Sequence, residues 1–243
     1  MIPGWSVQSA AQVLRSKGWF SQQPQWFQDG VIERATLKEF HAGGVVCRAG
    51  DAPMGAHAVV EGQVNFVWPS PDGQEIFYNF IPPAGWFGHG SCIDGEPYLM
   101  NAVTPRRTVM LFLARDRFED LGKAHPEAFR CWATQVTDMY RGVFQSFIDA
   151  KAFEARQRVP RALLVLARKA GERVGDSVEL NVRLTQAEFA SFVGVTRQYA
   201  SRFIGELREA GILDWGASRI VIRNLPALAE MADPRRGAAT SGA

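Results

Sequence analysis

The chain is short of the features that assign a protein's class at once. It has three cysteines in 243 residues, Cys47, Cys92 and Cys131, far apart and never in a C-x-x-C pair. That excludes a disulfide scaffold and a cysteine-rich metal site, and it points to a reducing compartment, the cytoplasm. No apolar run approaches the ~20 residues that cross a bilayer, so no membrane partner is expected. The start, MIPGWSVQSAAQ, lacks the charged and apolar regions of a secretion signal. There is no G-x-S-x-G, H-E-x-x-H, P-loop or dinucleotide fingerprint. His41, His57 and His89 lack the H-x-H spacing of a cupin-like metal enzyme. No enzyme is expected. A large charge of one sign is missing too, with 27 basic against 25 acidic residues and a net charge of +2. At 47% hydrophobic and 21% charged residues, the composition is that of a globular protein and excludes disorder and collagen-like repeats.

The charge that is present divides unevenly. Residues 1–155 carry 13 basic and 16 acidic side chains, a net of −3, and residues 156–243 carry 14 and 9, a net of +5. A basic C-terminal third suggests a polyanionic partner.

Residues 8–40 read as short helices with four aromatics, Trp19, Phe20, Trp26 and Phe27. From His41 to Ala114 turn residues recur at short intervals, among them Gly43-Gly44, Gly50-Asp51, Glu61-Gly62, Pro71-Asp72-Gly73 and Pro82–Gly85. Short apolar or alternating runs lie between them: Ala58–Val60, Val64–Trp68, Glu75–Ile81, Asn101–Val103 and Thr108–Ala114. Many short strands at this spacing predict a compact antiparallel barrel or roll. Pro71-Asp72-Gly73 predicts a hairpin.

After Arg115 the pattern is helical. Trp132, Val136, Met139, Val143, Phe147 and Ala150 follow one another at intervals of three or four, close to a coiled-coil seam. Such a helix either lies on its own domain's core or is buried against a second copy, and the narrow seam favours a homodimer through residues 132–154. A further helix, Arg161–Lys169, is expected after Pro160, and the tail Asp233–Ala243 reads as disordered.

The most informative stretch is LTQAEFASFVGVTRQYASRFIGELREAGIL, residues 184–213. Thr185 and Glu188 form a capping-box pattern, Gly194 suits a sharp turn between crossing helices, and Thr196 is a second N-cap. Phe203 and Leu207 face inward, leaving Arg197, Gln198, Ser201 and Arg202 on the opposite face. Those residue types read base edges: Arg bonds guanine and Gln bonds adenine. Ile212–Arg223 reads as two short strands around Gly216-Ala217-Ser218, a small wing. A winged helix-turn-helix on double-stranded DNA is expected.

With these motifs the chain resembles the Crp/Fnr family of bacterial transcription regulators, over roughly residues 15–230. The helix-turn-helix carries the resemblance through Thr185, Glu188, Gly194, Thr196, Arg197 and Arg202. The hinge stretch RVPRALLVLA, Arg158–Ala167, and the glycine-marked turns of the roll add to it. The resemblance implies an α+β chain in three parts. These are an N-terminal antiparallel β-roll of the cyclic-nucleotide-binding kind (1–126), a long dimerisation helix (127–157) and a winged helix-turn-helix (158–232), followed by the tail (233–243). It implies base contacts by Arg197, Gln198 and Arg202, phosphate contacts by Thr185, Gln186, Thr196 and Tyr199, and contact with RNA polymerase. The family most often has Glu where Gln198 stands, so the half-site should depart from the usual one at that base pair.

The sensor departs further from the cyclic-AMP pattern. Family members that bind cyclic AMP carry Gly-Glu-Leu, a short loop, then Arg-Ser-Ala. Here the matching stretch, GHGSCIDGEPYLMNAV, starts at Gly88, has His89 for the Glu, and has Met100-Asn101 where Arg-Ser would be. The helix positions that would reach the adenine are Val143 and Phe144, neither with a hydroxyl. A buried phosphate without its Arg loses its strongest bond, which argues against cyclic AMP. Three scattered cysteines argue against an iron–sulfur cluster. Haem, with His89 and Cys92 in the cassette, and a cyclic dinucleotide stay open as effectors. The competing reading is a ligand or haem sensor whose winged helix mediates protein contact.

Overall fold

The structure is a computed structural model that describes residues 2–70, 75–216 and 219–233. The chain divides into two compact units, residues 1–142 and 143–243.

The first unit opens with α1 (Val7–Ser16), α2 (Gly18–Ser21) and α3 (Gln25–Arg34). Ser6 caps α1 reciprocally: its Oγ accepts from the Ser9 N–H, and its own N–H donates to Ser9 Oγ. Eight strands follow: β1 (Thr36–Phe40), β2 (Gly44–Cys47), β3 (Gly55–Glu61), β4 (Val64–Pro69), β5 (Glu75–Ile81), β6 (Trp86–Phe87), β7 (Asn101–Thr104) and β8 (Thr108–Ala114). The short helix α4 (His89–Asp94) lies between β6 and β7, and α5 (Arg115–Ala124) follows β8. The strands pair antiparallel in two sheets, ordered β1-β8-β3-β6 and β2-β7-β4-β5. This is the roll expected from the turn spacing.

The central strands β3 and β8 are buried along almost their whole length. The two-residue period of a strand explains how. Ala56, Ala58, Val60, Val109, Leu111 and Leu113 pack towards Leu14, Phe20, Phe27 and Val31 of the N-terminal helices. Val59 and Met110, on the alternate positions, pack between the sheets with Val64, Ile81, Phe87 and Ala102. The close approach of β3 and β8 requires glycine at residue 55, because a Cβ there would lie 2.3 Å from the Leu113 carbonyl oxygen.

Three strands depart from the sequence reading. Thr36–Phe40, read as part of a helical region, is β1. Among the described strands it pairs only with β8, so its half-exposed Lys38 and Glu39 blur the alternation. β2 and β6 are short and were not expected. The Pro71-Asp72-Gly73 turn lies outside the described residues, but the strands it joins pair from Val64↔Ile81 to Pro69↔Glu75.

The long helix α6 runs from Ala128 to Ala152, narrower than the 127–157 expected. Trp132, expected to open the dimer seam, is instead buried in the first unit. Its ring lies 5.2 Å from Trp19, 5.2 Å from Phe27, 5.3 Å from Trp86 and 5.1 Å from Phe118. An indole of this size gains more from complete burial in its own core than from a seam. Trp19 Nε1 also donates to Thr134 Oγ1 at 2.8 Å. The exposed apolar stripe begins at Val136 and continues through Met139, Tyr140, Val143, Phe144, Phe147 and Ile148.

In the second unit, α7 (Ala155–Ala170) is followed by β9 (Gly171–Val174), β10 (Ser177–Leu180), α8 (Gln186–Val193), α9 (Arg197–Glu209), β11 (Leu213–Trp215), β12 (Ile220–Ile222) and α10 (Leu225–Ala232). The strands form one antiparallel sheet, β11-β12-β10-β9. α7 starts six residues before the Arg161 expected and runs through Pro160. The start is fixed by Glu154, whose N–H donates to Gln157 Oε1. Burial of Val159, Pro160, Leu163 and Leu166 along one face of α7 offsets the hydrogen bond that proline removes. The wing forms as β11 and β12, and residues 217–218 at its tip lie outside the described residues, as does the tail beyond Asp233.

Candidate nucleic-acid interface and effector site

Both helices of the α8–α9 pair are capped as the sequence indicates. Thr185 Oγ1 accepts from the Glu188 N–H at 3.1 Å, and Glu188 Oε2 accepts from the Thr185 N–H at 2.7 Å. Thr196 Oγ1 accepts from the Tyr199 N–H at 3.2 Å. Gly194 ends α8 in the left-handed region, at φ 72°, with the Val195 N–H returning to the Ala190 carbonyl. Ala200, Phe203, Ile204 and Leu207 bury the inner face of α9, and Phe189 of α8 meets Trp215 of the wing at 5.0 Å.

The outer face of α9 stands in water. Arg197, Gln198, Ser201 and Arg202 are exposed and together line one open depression of about 510 Å³. Arg197 forms no ion pair with any described residue. Arg202 stands over the Tyr199 ring, 5.4 Å from its centroid, and 3.8 Å from Glu206. Both contacts are at the surface and weak enough to yield to a base or a phosphate. By contrast the wing arginines are engaged: Arg219 with Glu179 at 2.7 Å, and Arg223 with Asp214. Thr185, Gln186, Thr196 and Tyr199 sit at the N-terminal ends of the two helices, where free N–H groups and the helix dipole favour phosphate.

The cassette lies in the first unit. Gly88 adopts φ 82° at the start of α4 and packs so closely that a Cβ would lie 2.6 Å from the Gly55 carbonyl oxygen. His89 turns into the core and stacks on Trp132, 5.5 Å away and 21° from parallel. Among the described residues, neither of its ring nitrogens has a hydrogen-bond partner. Burial lowers its pKa to about 4, so it is neutral. Asn101 is also committed: its Oδ1 accepts from the Ala49 N–H at 2.9 Å. Met100 is half-buried beside it. Val143 and Phe144, on α6 in the second unit, are exposed. Cys92 is buried, and burial pushes its thiol up to about 12.

Tyr98 organises this cassette. Its hydroxyl accepts from the Met54 N–H at 2.9 Å and donates to the Gly55 carbonyl at 3.2 Å. Its backbone joins Asp51 at 3.0 Å and Gly50 at 2.8 Å. One tyrosine therefore fastens the loop before β3 to the loop before β7. Among the described residues, no three His, Cys, Asp or Glu side chains come together as a metal site. No helix among them is long and apolar enough to cross a membrane.

Two family models match the chain in the order of its units: the cyclic nucleotide-binding domain over residues 37–125 and the Crp-like helix-turn-helix domain over residues 157–231. The chain belongs to the Crp/Fnr family. It is therefore a DNA-binding transcription regulator and not an enzyme. The CRP-like cAMP-activated global transcriptional regulator of Mycobacterium tuberculosis is 23% identical over 194 residues, which cover 80% of this chain and 87% of that one. The fumarate and nitrate reduction regulatory protein of Escherichia coli is 21% identical over 212 residues, 87% of this chain and 83% of that one. Among solved structures, FixK2 from Bradyrhizobium japonicum shares the fold, with a TM-score of 0.72 at 22% identity over 81% of this chain and 96% of that one.

Proposed function

We propose that the protein reads a near-palindromic DNA site as a homodimer, with Arg197, Gln198 and Arg202 on base edges and Ser201 beside them. Thr185, Gln186, Thr196 and Tyr199 hold phosphates and fix the register. The observation that carries this reading is the outer face of α9, where four side chains able to read bases line one exposed depression on a helix whose other face is fully packed. The exposed stripe from Val136 to Ile148 supports pairing of two copies along α6, within the residues 132–154 expected from the sequence. Two such units would present their reading helices about one DNA turn apart, ~34 Å. The protein acts in the cytoplasm and contacts RNA polymerase, as the family resemblance implies.

The effector, if the protein uses one, is not cyclic AMP. The position that would pair with a phosphate is Met100-Asn101, and the Asn101 amide oxygen already serves Ala49. Burial of His89 and Cys92 speaks against haem held through them. The test is selection of randomised duplexes by the purified protein with no effector added. Enrichment of a palindrome is expected, and binding without any sequence preference would overturn the reading.

A further inference from the structure

The junction of α6 and α7 carries a set of contacts that base reading does not use, and all of them lie in the second unit. Arg161, in the second turn of α7, reaches back to Asp149 in the last turn of α6. The pair is two-pronged, Nε to Oδ2 at 3.0 Å and Nη2 to Oδ1 at 2.9 Å. It is largely withdrawn from water, with 25% of the Arg161 side chain and 17% of the Asp149 side chain exposed. The guanidinium also lies 4.0 Å from the centroid of the Phe153 ring, in the link between the helices. One turn earlier on α7, Arg158 donates to the Ala150 carbonyl at 3.3 Å and to the Gly194 carbonyl at 3.0 Å. Ala150 is in the last turn of α6, and Gly194 is the turn between α8 and α9.

Two helices joined by only Phe153 and Glu154 can swivel unless something fixes the angle between them. An exposed pair of flexible charges would not do so. A planar fork on a carboxylate constrains direction as well as distance, and stacking on an aromatic ring constrains it again. Arg158 carries the constraint on to the turn that positions α9. We propose that Asp149, Arg161 and Phe153 form a clamp that sets the angle of the winged helix-turn-helix on the last turns of α6, and with it the half-site spacing that the dimer accepts. The inference rests on the DNA reading proposed above. The three are positioning residues, since none of them reaches the outer face of α9.

The test compares the full-length protein with Asp149→Asn, Arg161→Gln and the charge exchange Asp149→Arg with Arg161→Asp. Each is titrated against the selected palindrome and against versions with one base pair added to or removed from its centre. Amide hydrogen exchange is followed over residues 145–161 without DNA. The wild type should discriminate sharply between spacings. Each single variant should lose about tenfold at the selected spacing, about 1.4 kcal/mol, while the altered spacings hold or gain. Exchange should rise at the junction and not in α9. The charge exchange should recover part of the discrimination. Equal weakening on all three duplexes, or unchanged exchange at the junction, overturns the clamp. A wild-type protein that selects no duplex overturns instead the DNA reading on which the spacing role depends.

Discussion

Gln198→Glu replaces one amide with a carboxylate in the first turn of α9, and the structure sets its three effects. The first turn of α9 contains no acidic residue, so a negative charge there meets an unopposed positive helix end. The free protein should gain about 0.3–1 kcal/mol, visible as a small rise in Tm. The new carboxylate also stands four residues before Arg202, a favourable order for an ion pair on a helix surface. On DNA the change is larger. Glutamine can donate and accept at once and so matches adenine N6/N7, whereas a carboxylate only accepts and matches cytosine N4. Preference at that base pair should move by about 1–3 kcal/mol, roughly 5- to 150-fold. Binding to unrelated DNA should weaken, and its dependence on salt should become shallower by about 0.9 in slope, because the carboxylate offsets one of the cations offered to phosphates. Selection on randomised half-sites reads the preference, and anisotropy titrations at two salt concentrations read the slope. If the same base is enriched at every position and specific affinity is unchanged, Gln198 does not face a base and the placement of α9 is wrong.

Replacing Arg197 and Arg202 together by Ala should abolish selective binding, each guanine contact being worth about 1–3 kcal/mol; gel-shift titration showing intact affinity would count against both. Phe147→Glu puts a charge on the exposed stripe of α6 and should yield a monomer by sedimentation with unchanged helix content, while a persistent dimer would move the interface elsewhere. His89 is neutral when folded, with a pKa lowered from 6.5 to about 4, and takes up a proton more readily when unfolded. Stability should therefore fall as the pH drops from about 6.5 towards 4, by roughly 3 kcal/mol from this group. His89→Phe, measured by denaturant unfolding at pH 7 and pH 4.5, should flatten that loss, and an unchanged acid limb would sink the assignment.

The parts of the fold written in local chemistry were the parts the sequence expressed best. Thr185, Glu188, Gly194 and Thr196 act within a few residues of themselves, so caps and turn could be read in order, and all four hold the positions expected. The strands of the roll with strong turns on both sides, such as β4 and β5, were legible for the same reason. β1 was not, because an edge strand with Lys38 and Glu39 half in water shows no clean alternation. Trp132 was misplaced because spacing along a helix reveals which residues share a face but not what that face meets. Its place was decided by Trp19, more than a hundred residues earlier in the chain. Pro160 misled in another way, since packing of Val159, Leu163 and Leu166 on one face holds α7 through a residue that usually ends or begins a helix.

The effector cassette separates these two kinds of information most clearly. His89 and Asn101 stand at the cassette positions of the family, and that resemblance alone makes them pocket candidates. Asn101 instead satisfies the backbone N–H of Ala49, two residues after β2 ends, and a half-buried amide oxygen with that duty has less to offer a ligand. His89 is buried among aromatic rings with both nitrogens unsatisfied, a cost that folding tolerates because the ring stacks on Trp132. Trp132 is the last large side chain that ties α6 to the roll. The His89–Trp132 stack therefore joins α4 to the base of α6 within the first unit.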